Sequence, residues 1–430
     1  MKIAVGITGS FGSGCSTVTG ILRRSFGFES YSLSETLREK YNEAKHDPKA
    51  AENANRYDLQ EFGNELRKTK TLQILAEETY RKVVGENKQS ENIVFDSIRN
   101  LSEVAFLRET FREFYLIAVD CTEDDRWKRI KKNPKNKTIS HDEFRMLDQR
   151  DKNQNDIEYG QQVAMCVDEA DFLIRNDNES KKSQIEFAER LEGKLKDAIS
   201  LFQKEKLRSP SKKEAYMSIA YAASLRSNCF KRQVGAVIID QNENVVSIGY
   251  NENSDPLKPC YIQFGDCFRD QYIESVMIKF KACPLCTKKL EAPLTFPYKC
   301  PHCGKNLAKE IIKDRAMGRC TALHAEEKAL LSAQKADLSG CMLYVTTFPC
   351  LTCTEKILNS RIGSFCYVES YPDTAALKLL KSAKEEGREI LADKFEGVKA
   401  KAYFKLFGSW RSEKESEMKK SKKANSQTKK

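Results

Sequence analysis

A histidine, a glutamate and two cysteines stand in the second half of the chain at a spacing that suits one kind of chemistry. His324-Ala325-Glu326 is followed by Pro349-Cys350-Leu351-Thr352-Cys353. One imidazole nitrogen and two thiolates make three ligands, the number a catalytic zinc takes while leaving its fourth position to water. Glu326, two residues past the histidine, is too close along the chain to be a comfortable fourth ligand and faces the water position instead. The implied chemistry is hydrolysis: a metal lowers the pKa of water, and one carboxylate moves protons first as a base and then as an acid. A structural Cys2His site is the alternative. Such a site is closed by a fourth ligand, however, and would leave Glu326 without a task.

Other cysteines form a second pattern. Cys283-Pro284-Leu285-Cys286 and Cys300-Pro301-His302-Cys303 are separated by thirteen residues, and two knuckles so spaced read as a four-thiolate zinc ribbon. Four sulfurs fill a tetrahedron, so this site is closed and structural, with His302 a bystander. Cys260 and Cys267, just ahead of it, either hold a further metal or are packed thiols.

A third feature lies near the amino end. Gly9-Ser10-Phe11-Gly12-Ser13-Gly14-Cys15-Ser16 has the Gly-x4-Gly frame and the hydroxyl of a Walker A loop, placed between an apolar run and a helical stretch as that motif requires. Its lysine is replaced by Cys15. Backbone N–H groups and the helix dipole can still cradle a phosphate, so Gly9, Gly12, Gly14, Ser16 and Thr17 are expected nucleotide contacts, with Mg when a nucleotide is bound. Fast phosphoryl transfer is not expected. Asp96 resembles a Walker B or substrate-handling acid, and Arg99, Arg126 and Arg129 resemble the phosphate clamps of nucleotide kinases.

The elements that must position these groups alternate between strand and helix. KIAVGIT, NIVFDSIR, EFYLIAVD and ADFLIRND read as buried strands separated by helical stretches, which predicts a parallel sheet with helices on both faces over residues 1–178. Residues 179–210 carry apolar positions at helical spacing and stop before Ser209-Pro210, a connecting helix. Residues 211–410 alternate again: a helix, VGAVIID, NVVSIGYN, an insertion at about 258–318 holding the ribbon, a helix at ALHAEEKALLSA, CMLYVTTF, a helix from CLTCTEKIL, and SFCYVES. The fold class is therefore α/β: a P-loop NTPase or nucleotide-kinase-like parallel sheet, then an α/β/α domain with an inserted ribbon.

At 430 residues, 40% apolar and 31% charged, the chain is long enough for two domains and lies in the globular range. No run reaches the roughly 18–20 apolar residues of a membrane helix, and Met1–Val5 leads into a glycine-rich loop rather than a signal-peptide core. A cytoplasmic protein without a membrane partner is expected. Fifteen cysteines, several in C-x-x-C pairs, point in a reducing compartment to metal rather than to disulfides. The net charge is +11, but residues 411–430 hold eight Lys or Arg against three Glu. That tail is expected to be disordered, either simply solvated or touching nucleic acid.

The histidine, glutamate and cysteine pattern resembles the H-x-E…P-C-x-x-C signature of zinc deaminases, which attack C4 of a cytosine and release ammonia. The second half is more specifically similar to the deoxycytidylate deaminase branch of the cytidine deaminase superfamily. The likeness rests on Arg226-Ser-Asn228-Cys-Phe-Lys-Arg-Gln-Val-Gly-Ala-Val, Gly249-Tyr-Asn251, HAE, TTFPCLTC and YVESYPD, which span most of 213–375. The resemblance implies that His324, Cys350 and Cys353 hold zinc and that Glu326 is catalytic. It also implies Arg226 and Asn228 near the substrate phosphate, Asn251 near the deoxyribose, and a homo-oligomer. A kinase-like domain followed by a ribbon-bearing deaminase resembles the bacterial anti-phage cytosine deaminases that deplete deoxycytidine nucleotides. In that family the first domain is regulatory, so a nucleotide or an inhibitory RNA is the expected regulator. The substrate expected is free dCMP or dCTP. Two other readings remain open: a nucleic-acid cytosine or adenosine deaminase, suggested by the basic tail and ribbon, and a nucleotide kinase with a sensory deaminase-like domain.

Overall fold

A strand buried on both faces can be apolar without alternation, and Ile3–Thr8 (β1) is such a run, with all six residues buried. Glu29–Ser32 (β2), Asn92–Asp96 (β3), Phe114–Asp120 (β4) and Phe172–Arg175 (β5) lie beside it in the order β5-β4-β1-β3-β2, every pair parallel. The chain order reverses on either side of β1. Ligands of open α/β sheets bind at the carboxyl end of the strands at such a switch point, and there Thr8 gives way to the glycine-rich loop and the helix Cys15–Phe26. The computed structural model describes residues 3–85, 92–133, 139–152, 158–177, 184–205, 208–253, 257–295, 298–312, 320–334, 337–369 and 374–408.

The chain divides into two units, residues 1–214 with 396–430, and residues 215–395. In the second, Gly235–Ile239 (β6), Val245–Tyr250 (β7), Met342–Thr347 (β10), Ser364–Glu369 (β11) and Leu391–Lys394 (β12) form a sheet in the order β12-β11-β10-β6-β7. Between them in sequence, Glu252–Asn253 (β8) and Ala322–Leu323 (β9) make a small antiparallel pair at the ends of the insertion. The pairs β10–β11 and β11–β12 are parallel, whereas β6 is antiparallel to both β10 and β7. Burial of β7 alternates, as expected of an edge. One of its residues meets the helix Ala325–Ser332 closely: a Cβ on Gly249 would lie 2.0 Å from the Ala325 carbonyl oxygen. Ser247 Oγ donates to the Ala329 carbonyl at 2.7 Å on the same helix. The helix capped by His324 is thus seated on the sheet by a missing side chain and one hydrogen bond.

Two parts of the domain division read from sequence need correction. The helix Gln184–Phe202, expected as a connector, is core: Leu191, Leu195, Ala198, Ile199 and Phe202 are buried with β1 and β4 residues. The Phe202 ring stacks on Tyr115 at 4.2 Å between centroids. Each fully buried side chain of this size is worth about 1.5–3 kcal/mol, so the helix cannot be a free linker. The second correction concerns the end of the chain, assigned to the second domain as far as residue 410. Gly397–Val398 (β13) instead pairs antiparallel with β5, and Val398, Ala402 and Leu406 are buried in the first unit's core. In sequence, the second unit is therefore inserted within the first rather than appended to it. The basic segment 411–430 lies outside the described residues. No helix among the described residues is long and apolar enough to cross a membrane.

Candidate active site

His324 and Cys350 occupy N-cap positions of two helices, Ala325–Ser332 and Leu351–Asn359, and Cys353 lies in the first turn of the second. His324 Nδ1 stands 3.3 Å from Cys353 Sγ and 3.4 Å from Cys350 Sγ. The three candidate ligand atoms all lie within 4.8 Å of one another. A zinc about 2.3 Å from sulfur and about 2.0 Å from nitrogen would place tetrahedral neighbours roughly 3.5 Å apart, so the donor set fits the ion. Cys350 is the thiol that ionises first. The hydrogen bond from Cys353, aided by His324, brings it down to about 4.

Glu326 is 4% exposed. Burial pushes its carboxyl up to about 6 although His324 pulls the other way. Glu326, His324 and Cys350 line one cavity of about 270 Å³ together with Asn251, Thr347 and Phe348. A buried carboxyl at the wall of a cavity, beside a metal donor set, can exchange protons with whatever the cavity holds.

The expected substrate residues are distributed unevenly. Asn251 lines this cavity, but its amide is committed to the backbone: Oδ1 accepts from Val234 N at 2.7 Å and Nδ2 donates to the Arg232 carbonyl at 2.8 Å. Asn228 lines only an adjoining cavity of about 250 Å³. Arg226 lines neither of these two cavities, and its guanidinium lies 4.9 Å over the Tyr250 ring. Sequence reasoning missed Cys320, whose hydrogen bond to His324 is the largest cause lifting that imidazole to about 10. It also missed Lys231, Arg232 and Arg269, which line the cavity. Cys320 stands four residues before His324 with the strand Ala322–Leu323 between them, and nothing local marks either it or Arg269.

In the first unit, Gly14 caps the helix Cys15–Phe26 at φ 101°, and a Cβ there would stand 2.2 Å from Asn176 Nδ2. That amide donates to the Ser13 carbonyl at 2.7 Å, Arg129 donates to the same oxygen at 3.0 Å, and Arg126 donates to the Phe11 carbonyl at 2.9 Å. Arg126 is buried and makes a two-point pair with Asp148, while Arg99 donates to Asp151 at 3.2 Å. The arginines expected as phosphate clamps therefore brace the loop and its surroundings. Ser16 and Thr17 are exposed at the helix start, and Asp96 ends β3 beside the loop. Cys15 has its thiol pushed up to about 12, chiefly by burial and then by Asp96. It is neutral, so it cannot replace a lysine's charge.

Residues 210–369 match the cytidine and deoxycytidylate deaminase zinc-binding region, and residues 5–150 match an AAA domain. Deoxycytidylate deaminase of Saccharomyces cerevisiae is 29% identical over 240 residues, 52% of this chain and 64% of that protein. The protein of that name from Schizosaccharomyces pombe is 30% identical over 224 residues, 52% of this chain and 54% of that one. The one from Mycobacterium phage D29 is 29% identical over 160 residues, 37% of this chain and 94% of its own length. The chain thus spans between about half and just under two thirds of the two yeast relatives.

Within the second unit, the insertion brings four sulfurs together. Cys283 Sγ is 3.9 Å from Cys303 Sγ, and Cys286 Sγ is 3.8 Å from Cys300 Sγ. A zinc tetrahedron of sulfurs has edges of roughly 3.8 Å. Each knuckle closes alike, with Cys283 N donating to the Lys288 carbonyl and Cys300 N to the Lys305 carbonyl, both at 2.9 Å. His302 Nε2 sits 2.9 Å from the Lys289 carbonyl and is outside the sulfur cluster. Cys260 Sγ lies 3.4 Å from Thr321 Oγ1, and Cys267 lines both cavities. Among the described residues, neither joins a cluster of three ligand atoms.

Proposed function

We propose that the second unit deaminates free deoxycytidine nucleotides, converting dCMP or dCTP and water to dUMP or dUTP and ammonia. The observation that carries this reading is the buried Glu326 at the wall of a cavity that ends on His324 and Cys350. His324, Cys350 and Cys353 would hold the zinc, which when bound supplies Lewis acidity that lowers the pKa of water. Glu326 takes the proton that water loses, delivers it to N3 of the cytosine, and returns a proton to the departing amine. Its burial favours this cycle, because a carboxyl lifted to about 6 accepts and releases protons near neutrality. Relatives named deoxycytidylate deaminase support the choice of nucleotide.

The same proposal gives the ribbon a second, structural zinc on Cys283, Cys286, Cys300 and Cys303. It gives the first unit a regulatory nucleotide held by Gly9, Gly12, Gly14, Ser16 and Thr17, with Asp96 and Mg, or an RNA in its place. Depletion of deoxycytidine nucleotides would limit phage DNA synthesis, which is the role we assign, with a homo-oligomer as the working assembly. The test is incubation of the full chain with dCMP, dCTP and cytosine-containing oligonucleotides, with uracil product and bound zinc measured together. Uracil from the free nucleotides alone, with zinc in both sites, is the expected result. Uracil only in the oligonucleotides would overturn the substrate assignment.

A further inference from the structure

The cavity that ends on His324, Glu326 and Cys350 shares walls with the neighbouring cavity, and Lys231 and Arg269 belong to both. They come from different parts of the chain. Lys231 precedes β6, and Arg269 lies in the helix Phe268–Met277, which is part of the insertion. Asp270 holds the two side by side: its Oδ2 pairs with Lys231 Nζ and its Oδ1 lies 3.8 Å from Arg269 Nε. Asp266 also lines the neighbouring cavity, so two cations face two carboxylates there, but only the cations extend into the cavity that ends on Glu326. Both remain accessible, with side-chain exposures of 51% for Lys231 and 31% for Arg269. The arginine first expected at this task, Arg226, lines neither of the two cavities.

We propose that Arg269 and Lys231 form the seat for the substrate's 5′-phosphate, so that the inserted segment selects nucleotides over nucleosides. This rests on the reading of the deaminase centre given above. A base held at Glu326 carries its phosphate on the far side of the deoxyribose, toward the junction where the two cations stand. A guanidinium suits the task because it can donate two parallel hydrogen bonds to phosphate oxygens, and the ammonium adds a point charge. Asp270 is a positioning residue: it keeps the two like charges together when no anion is bound.

The experiment compares dCMP with deoxycytidine, which lacks only the phosphate, on the full-length zinc-loaded protein and its Arg269→Ala, Arg269→Lys and Lys231→Ala variants. Calorimetric binding is measured alongside steady-state deamination. Losing a charged hydrogen-bond donor should weaken dCMP binding and raise its KM about tenfold or more, with kcat nearly constant and deoxycytidine unaffected. Arg269→Lys should recover part of the loss, and Lys231→Ala should act in the same direction with a smaller effect. Equal losses for dCMP and deoxycytidine, or no change in either, would overturn the proposal. If the unsubstituted protein binds dCMP through Arg269 but releases no ammonia, the phosphate seat stands and the deaminase reading falls.

Discussion

Arg126, Arg129 and Arg99 in the first unit end on Asp148, on the Ser13 and Asn176 carbonyls, and on Asp151. Glu326 in the second unit ends on a cavity. Both regions begin from a helix N-terminus beside a sheet, and both contain buried charge. They differ in where that charge is directed. In the first unit it holds a glycine-rich loop in shape. In the second, a carboxyl is kept out of water yet open to a ligand, so that its proton is available for chemistry. The comparison teaches that a motif's frame and its reactive group are separable: the loop keeps the frame while Cys15 removes the charge, and the candidate zinc site keeps both.

The largest effect that can break this contrast is the loss of the proton carrier. Glu326→Gln should lower ammonia release about 10²–10⁴-fold while zinc content and the melting profile stay unchanged. Retained activity would mean that the cavity carboxyl is packing only. For the first unit, Asp151→Asn should cost about 3–5 kcal/mol by leaving Arg56 and Arg99 without their shared anion, seen as a lower melting temperature. Burial alone would raise the Asp151 pKa, but Arg56 and then Arg99 outweigh it and hold the value below the ordinary 3.8. The stabilisation is therefore complete above that ordinary value and disappears as pH falls through the lower folded one. The difference between the two proteins should vanish over the same acid range. A constant difference at all pH values would assign the loss to packing. Gly14→Ala is the smallest expected change, about 1–3 kcal/mol from its left-handed backbone and the Asn176 contact. It should also weaken a fluorescent nucleotide's binding to the first unit. Unaltered binding would show that the loop's shape serves the fold alone.

The candidate donor sets were legible because they are packed into short sequence windows. His324 with Glu326, and Cys350 with Cys353, each sit at a helix start, where a few residues set the geometry. The same holds for the ribbon, whose paired knuckles are self-contained turns. Strands β1, β3, β4 and β6 were legible as apolar runs. The two edge strands of the first sheet were not: Glu29–Ser32 carries no apolar run, and Gly397–Val398 is two residues long. The cations at the cavity were equally hidden, because Lys231 and Arg269 meet only after the insertion folds.

The sequence alone marked the two candidate sites: a three-ligand donor set with a carboxyl two residues on, and a phosphate loop lacking its lysine. These depend on residue type and local spacing, which survive without tertiary contacts. The tertiary structure decided which side chains are spent. It paired Arg126 with Asp148, buried the helix Gln184–Phe202 in the first core, returned the chain's end to β5, and turned Glu326 toward an open cavity. The physical reason is that burial and charge pairing are properties of neighbours brought together from distant positions. No local pattern records them.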